Sequence, residues 1–221
     1  MKKILFLFLA TLMLPAVTEA KSVKLKQFND VYIFGQSGRN SQKKGSAVSL
    51  TMGVAKALED GANDPKDVDV MCFFGKVNHS KVKFFSLFSP EDPNQNIDWE
   101  KDGGTSPWCK FEGKSSEPDA YYALKNWKHR NHTKLEKLDG IDFDSATGEQ
   151  IDALTVSDSY LAENVTVGDV ILFQTDEKGY GKGKKGLIKI VAIEDDPDPK
   201  KADKKGQGQY QRLTLNIKIV K

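Results

Sequence analysis

The sequence predicts an α+β fold that is mainly antiparallel β, sandwich or barrel-like, with two or three short helices. Three observations carry this expectation. Val170 to Phe173 is a continuous apolar run rich in β-formers, and Leu187 to Ile193 interrupts its apolar residues only at Lys189, so two strands buried on at least one face flank a glycine and lysine connector. Leu213, Leu215, Ile217 and Ile219 alternate with Thr214, Asn216 and Lys218, the period-two pattern of a sheet with one wet face. The order along the chain is strands, a long aromatic stretch, short helices, then strands again. Strand and helix never alternate in the way that builds a parallel sheet.

The chain begins with Lys2 and Lys3, an apolar run from Ile4 to Leu14, Pro15, and Thr18-Glu19-Ala20, the three regions of a secretory signal. We place the cut after Ala20. The apolar run is 11 residues long, against about 20 needed to span a bilayer, so an uncleaved anchor is the lesser reading. No cysteine sits near the cut, which argues against a lipoprotein and for a soluble product in the periplasm or outside the cell. No transmembrane segment is expected after cleavage. Residues 21–221 then form a single β-rich domain, with 164–221 as a candidate C-terminal β subunit.

Cleavage lowers the Lys and Arg count from 33 to 31 and the Asp and Glu count from 31 to 30. The balance is close to neutral, which offers no global field for nucleic acid. Cys72 and Cys109 are the only cysteines, and in an exported chain such a pair predicts a disulfide. The competing reading makes Cys72, inside the apolar run Val70 to Phe74, a buried small hydrophobe. Nothing pairs either thiol with an activating histidine, so no catalytic cysteine is expected.

Val23 to Phe34 reads as one long strand or two bent ones, and Gly35 to Gly45 as a polar loop. Ser46 to Ala57 reads as a strand continuing past a bulge at Gly53, in preference to a short helix. Asp60 to Asp67 has turn composition, and residues 68–89 form a β-hairpin. Asp30, Asp69 and Asp169 each precede four or more apolar residues. The plain explanation is a turn aspartate at the start of a buried strand rather than an internal repeat.

Pro90 to Pro118 is the least regular stretch, with Trp99, Trp108 and Phe111 short of apolar neighbours. Together with Trp127, the two tryptophans Trp99 and Trp108 are the candidate ligand-binding residues, packing onto the sheet or lining a groove. Asp119 to Arg130 reads as a short helix with Ala120, Ala123, Leu124 and Trp127 on one side. Thr147-Gly148-Glu149-Gln150 is a capping box opening a second, with Ile151 and Leu154 apolar. Ser157 to Ala162 adds a further turn, and Asp195 to Gly208 is a charged loop.

Several chemistries can be weighed. Gly179 to Gly186, GYGKGKKG, lacks the phosphate-loop pattern and precedes a strand rather than a helix, so it is a hairpin tip kept in water by Lys182, Lys184 and Lys185. The alternative there is a local lysine patch that touches acidic surfaces or polysaccharide. His129, His132 and Glu136 would share a helix face, but without a third strong ligand they read as a solvated polar face with Asn131 and Thr133. Asp142 and Asp144 are more simply capping groups than paired glycosidase acids. Asp92, Asp98, Glu100 and Asp102 around Trp99 match calcium or sugar binding and equally any polar loop. Asn78, Asn131 and Asn164 match the N-glycan acceptor pattern, though the bacterial look of the signal argues against modification. No catalytic residue, metal or cofactor is expected.

Asn131-His132-Thr133-Lys134-Leu135 followed by Asp142-Phe143-Asp144, and above all Gly168-Asp169-Val170-Ile171-Leu172-Phe173-Gln174-Thr175 followed by Lys185-Gly186-Leu187-Ile188-Lys189-Ile190, resemble secreted proteins of unknown function from Gram-negative bacteria. The match covers mainly the last 90 residues. In place of that group's compact K-Y-G turn this chain carries the longer Lys178 to Gly186. The resemblance implies export and a β-rich fold, and brings no activity with it. The expected function is therefore an exported non-catalytic domain that binds a carbohydrate, peptide or cell-envelope component through the aromatics of residues 90–127. The alternative is a secreted hydrolase acting on glycans or peptides through carboxylates of the same region.

Overall fold

The computed structural model describes residues 22–34, 45–75, 84–91, 127–197 and 211–221. Its strands are β1 (Leu25–Phe34), β2 (Ala47–Ser49), β3 (Val54–Lys56), β4 (Val70–Gly75), β5 (Phe84–Phe88), β6 (Lys134–Leu138), β7 (Leu161–Ala162), β8 (Val170–Gln174), β9 (Lys185–Asp195) and β10 (Gln211–Val220). Two short helices, α1 (Leu58–Asn63) and α2 (Gly148–Ala153), and a 3-10 turn at Pro65–Asp67 complete the described elements. One five-stranded sheet runs β1-β10-β9-β8-β6 and the other β3-β2-β4-β5-β7. Every pairing is antiparallel. The described strands thus form two open sheets, with no closed barrel.

Alternation decides which residues meet between the sheets. Ile33, Ile171, Phe173, Ile188, Ile190, Leu213, Leu215 and Ile217 from the first sheet pack in one cluster with Val48, Val70, Cys72 and Leu87 from the second. Each such side chain contributes about 2 kcal/mol by leaving water, which makes this layer the main source of stability. β8, β9 and β10 lie side by side, as their patterns predict. β1 is one bent strand: its register shifts between Phe28 and Val31, where Asp30 sits at φ 56 and its N–H donates to Asn216 Oδ1 at 3.1 Å. That is a bulge.

The outer face of the first sheet differs from expectation. Residues 139–157 fold across it, so Phe143, Ala146, Ile151 and Val156 pack against Val170, Leu172, Leu187 and Val220. The face that alternation marks as wet is covered. Lys218 lies on it, only 6% exposed. Its ammonium remains there because Phe143 O, Asp144 O and Ala146 O accept from Nζ at 2.7, 2.9 and 3.3 Å. A lysine in a period-two pattern is ordinarily read as a water-facing group, yet three carbonyls solvate this one.

Other local expectations are also corrected. Ser46 to Ala57 is a hairpin of β2 and β3 rather than one strand, because the chain reverses through Gly53 at φ 65. A Cβ at Gly53 would lie 2.1 Å from Phe28 Cγ, so glycine serves both the turn and the close approach. Asp60 to Asp67 contains the end of α1 and the 3-10 turn, with proline opening the latter. Trp127 to Arg130 is not helical, and the rest of that predicted helix lies outside the described residues. Leu161 and Ala162 form an edge strand on β5 instead of a turn. The capping box is present: Thr147 Oγ1 accepts from Gln150 N at 3.3 Å, and the Gln150 side chain accepts from Thr147 N at 2.8 Å.

Candidate functional site

The densest polar arrangement among the described residues lies just ahead of β6, around Asn131, which is fully buried. Its Nδ2 donates to Lys66 O at 2.9 Å and Val68 O at 2.8 Å, and lies 3.4 Å from Asp69 Oδ1. With the amide so oriented, Oδ1 must accept, and the group 2.7 Å away is His129 Nε2. A neutral His129 therefore carries its proton on Nε2. The Asn131 carbonyl accepts from Ser89 Oγ at 2.5 Å and Glu91 N at 3.2 Å. One residue, through its side chain and its main-chain carbonyl, thereby joins the 3-10 turn, the end of β5 and the start of β6. Gly179 brings in a fourth segment, since a Cβ there would lie 2.6 Å from Asn131 Oδ1.

Carboxylates surround this junction with different duties. Asp69 is 1% exposed, and Leu50 N donates to its Oδ2 at 2.8 Å. Burial pushes its carboxyl up to about 7, Asp67 and Asp176 add repulsion, and the N–H groups of Leu50 and Thr51 pull the other way. Asp67 accepts from Ser49 Oγ at 2.5 Å and pairs with Lys56 Nζ at 2.6 Å. Asp176 accepts from Lys178 N at 2.8 Å and His132 N at 3.0 Å. Burial raises the Asp176 pKa, but these N–H groups and the charges of His132 and His129 outweigh it and hold the carboxyl below its usual range. Nearby, Thr51 Oγ1 and Thr133 Oγ1 are buried without a partner among the described residues.

The candidate residues from the sequence scatter. Trp127 is 7% exposed, and a Cβ on Gly61 would lie 2.9 Å from its ring, so it packs inside against α1 rather than facing a groove. Trp99, Trp108 and Cys109 lie outside the described residues, as do Asp92, Asp98, Glu100, Asp102 and Asn78. Among the described residues Cys72 has no disulfide partner; its thiol is completely buried in β4, and burial pushes its pKa far up. His129, His132 and Glu136 share no helix face, because this segment is extended and runs into β6. His129 turns to Asn131, the His132 ring meets Tyr160 edge-on at 6.1 Å, and Glu136 accepts from Ser157 N at 2.7 Å. Among the described residues no group of three or more His, Cys, Asp or Glu could hold a metal ion.

Asp142 and Asp144 act apart. Asp142 accepts from Asp144 N at 3.1 Å, and its bonds with the Ser145 side chain and Asp144 N hold its carboxyl below the usual range. Asp144 pairs with Lys189 Nζ at 2.7 Å. Asn131 and Thr133, expected on a solvated face, are both fully buried. The three aspartates at strand starts also differ. Asp169 accepts from Thr166 N at 2.7 Å and pairs with Lys137 at 2.8 Å, Asp30 occupies the β1 bulge, and Asp69 is interior. A turn aspartate and a buried one look alike in sequence; only the distant partners Leu50 and Asn131 separate them.

The glycine connector serves this junction. Tyr180 N donates to Lys66 O at 3.2 Å, docking the loop between β8 and β9 on the 3-10 turn. Gly181 is pressed against the Thr175 side chain, where a Cβ would lie 2.3 Å from Oγ1. Only Gly183 of the four glycines at 179, 181, 183 and 186 has positive φ, at 74, so the others serve close approach rather than turning. Lys185, expected in water, donates instead to Asp152 O at 2.6 Å and Leu154 O at 2.7 Å at the end of α2.

No family model matches the chain, and no curated protein matches it. A solved structure that it resembles is the crystal structure of a DUF4466 family protein from Parabacteroides merdae ATCC 43184, at 10% identity and a TM-score of 0.51. The alignment covers 90% of this chain and 54% of that one, so this chain spans about half the length of its structural neighbour. At such identity the likeness concerns the fold alone.

Proposed function

We propose that this chain is an exported, non-catalytic binding or envelope-associated protein that holds a carbohydrate, peptide or cell-envelope component without turning it over. The observation that supports this is the employment of the chemistry-bearing side chains among the described residues. Asp67, Asp69, Asp144, Asp169, Asp176 and Glu136 are each committed to a hydrogen bond or ion pair that holds one segment to another, while Asp142 and His129 bond to residues two positions away. An acid and base pair for glycan or peptide hydrolysis needs two carboxylates facing a shared cleft. The expected cut after Ala20, export, and membership among secreted β-rich proteins of unknown function belong to the same proposal. Recognition is assigned to Trp99 and Trp108.

The test is a glycan and peptide array probed with purified protein, alongside turnover assays on the ligands retained. Saturable retention without product, lost in Trp99→Ala or Trp108→Ala, is the expected result. Product formation from a retained ligand overturns the non-catalytic reading and establishes the hydrolase alternative. Amino-terminal sequencing of protein recovered from the periplasm or medium should begin at Lys21.

A further inference from the structure

The loop at 176–184 is built more firmly than a solubilising hairpin tip requires. Thr175 N and Lys184 O close its base at 2.9 Å, Gly179 N and Gly183 N both donate to Asp176 O at 3.3 Å, and Lys184 N donates to Gly181 O at 3.2 Å. Asn131 and Thr175 press on it through the two glycines already described. Lys182, a non-glycine residue, is held at φ 52, a conformation that persists only where the surroundings impose it.

At the crest of this loop is Tyr180, 51% exposed. Its chain neighbours are Gly179 and Gly181, so no adjacent side chain covers the ring. The phenol is hydrogen-bonded to Asp64, which raises its pKa and orients the ring. Lys66, Lys178 and Lys182 are exposed around it and Lys184 is half-buried. Lys178, Lys182 and Lys184 have no ion pair among the described residues. Asp64, Asp67 and Glu177 are the acids of the same patch; Asp67 is already paired with Lys56, so Lys66, Lys178, Lys182 and Lys184 outnumber the acids left.

We infer that the 176–184 loop is a binding site for acidic polysaccharide, with a uronate-type sugar stacked on Tyr180 and its carboxylates met by Lys178, Lys182 and Lys184. The C–H face of a pyranose ring packs on an aromatic face as other apolar surface does, and an immobile ring loses little entropy in taking it. Exposed ion pairs are individually weak and screened by salt, so such a site favours a repeating polyanion over a single sugar. Single-stranded nucleic acid is less well matched, because its binding platforms stack successive bases along a basic groove and the formal net charge here is only +2. An anionic membrane is less well matched too, since the crest carries one tyrosine and no aliphatic wedge. Trp99 and Trp108 are not among the residues assigned here, so either assignment can fail without the other.

Titration of the purified chain with oligogalacturonate, monitored by calorimetry and by NMR of the glycine and lysine amides, tests the inference. Neutral cello-oligosaccharide, oligodeoxythymidine and anionic vesicles serve as comparison ligands. Binding of the oligouronate is expected to weaken about tenfold in Tyr180→Ala, to change little in Tyr180→Phe, and to lose its salt dependence in the Lys178→Gln/Lys182→Gln/Lys184→Gln variant. The Trp99→Ala/Trp108→Ala variant should bind it normally. Absence of binding by the folded wild type, indifference to Tyr180→Ala, or tighter binding of the oligonucleotide or vesicles would overturn it.

Discussion

Lys218 and Asp69 are both buried ionisable groups, and they are housed in opposite ways. Lys218 sits under the 139–157 layer with three backbone carbonyls on its ammonium, and its Nζ is 5.1 Å from the centre of the Phe143 ring. Asp69 receives backbone N–H groups from the β2–β3 turn but has Asp67 and Asp176 as electrostatic neighbours. The lysine is matched to its surroundings as a charge, whereas the carboxyl is better matched as a neutral acid. A buried charge is stable where dipoles converge on it and no like charge competes.

The comparison can be broken most severely at the lysine. Lys218→Ala strands three carbonyls and leaves a void beneath Phe143, and should lower unfolding stability by about 4 kcal/mol. Chemical denaturation checks this; a loss under about 1 kcal/mol would mean that water replaces the ammonium at little cost.

The aspartate should show itself through pH. Its pKa is raised from 3.8 to about 7, so the native state binds more protons than the unfolded one between those values. Stability is therefore highest on the acid side and falls as pH rises through that window, by at most about 4 kcal/mol. Asp169 and Asp176, whose pKa values are lowered, act in the opposite sense: their contribution is present above the unfolded value and lost as pH falls through the folded one. Asp69→Asn should flatten the decline toward neutral pH and leave the acid limb in place. Denaturation midpoints measured across pH 4 to 8 in both proteins test this, and an unchanged slope refutes a protonated Asp69.

A smaller effect is expected where the junction meets the loop. Gly179→Ala drives a methyl against the Asn131 amide and should cost about 2 kcal/mol, with faster amide exchange from 176 to 184. Lys185→Ala, which removes the ammonium from the end of α2, should cost about 1 kcal/mol and loosen only residues 148–154. Thermal melts and hydrogen exchange separate the two, because one disturbs the junction and the other the covering layer.

Parts of this were legible beforehand for a physical reason. The capping box at Thr147 and the strands of β8, β9 and β10 depend on residues close in sequence or on strict alternation, and both are visible in one dimension. The Asn131 junction was not visible. Its partners Lys66, Val68, Ser89 and Gly179 come from separate stretches, and its local signal, a polar Asn-His-Thr, reads as surface. Trp127 misled in the same way: expected on a helix and as a ligand-binding residue, it packs inside beside Gly61, a residue distant in sequence.

By itself, the order of the amino acids determined that β10 would be a strand, that its odd residues would share a face, and that β8 and β9 would be joined by a connector built of glycine and lysine. Side-chain alternation and backbone sterics operate over a few bonds and need no knowledge of the rest of the chain. Tertiary structure alone decided that the even face of β10 would be covered, that Lys218 would be solvated by carbonyls rather than water, and that Asp69 would lie in the interior. Burial depends on which distant segment arrives on a face, and the electrostatics of a buried group depend in turn on what that segment brings with it.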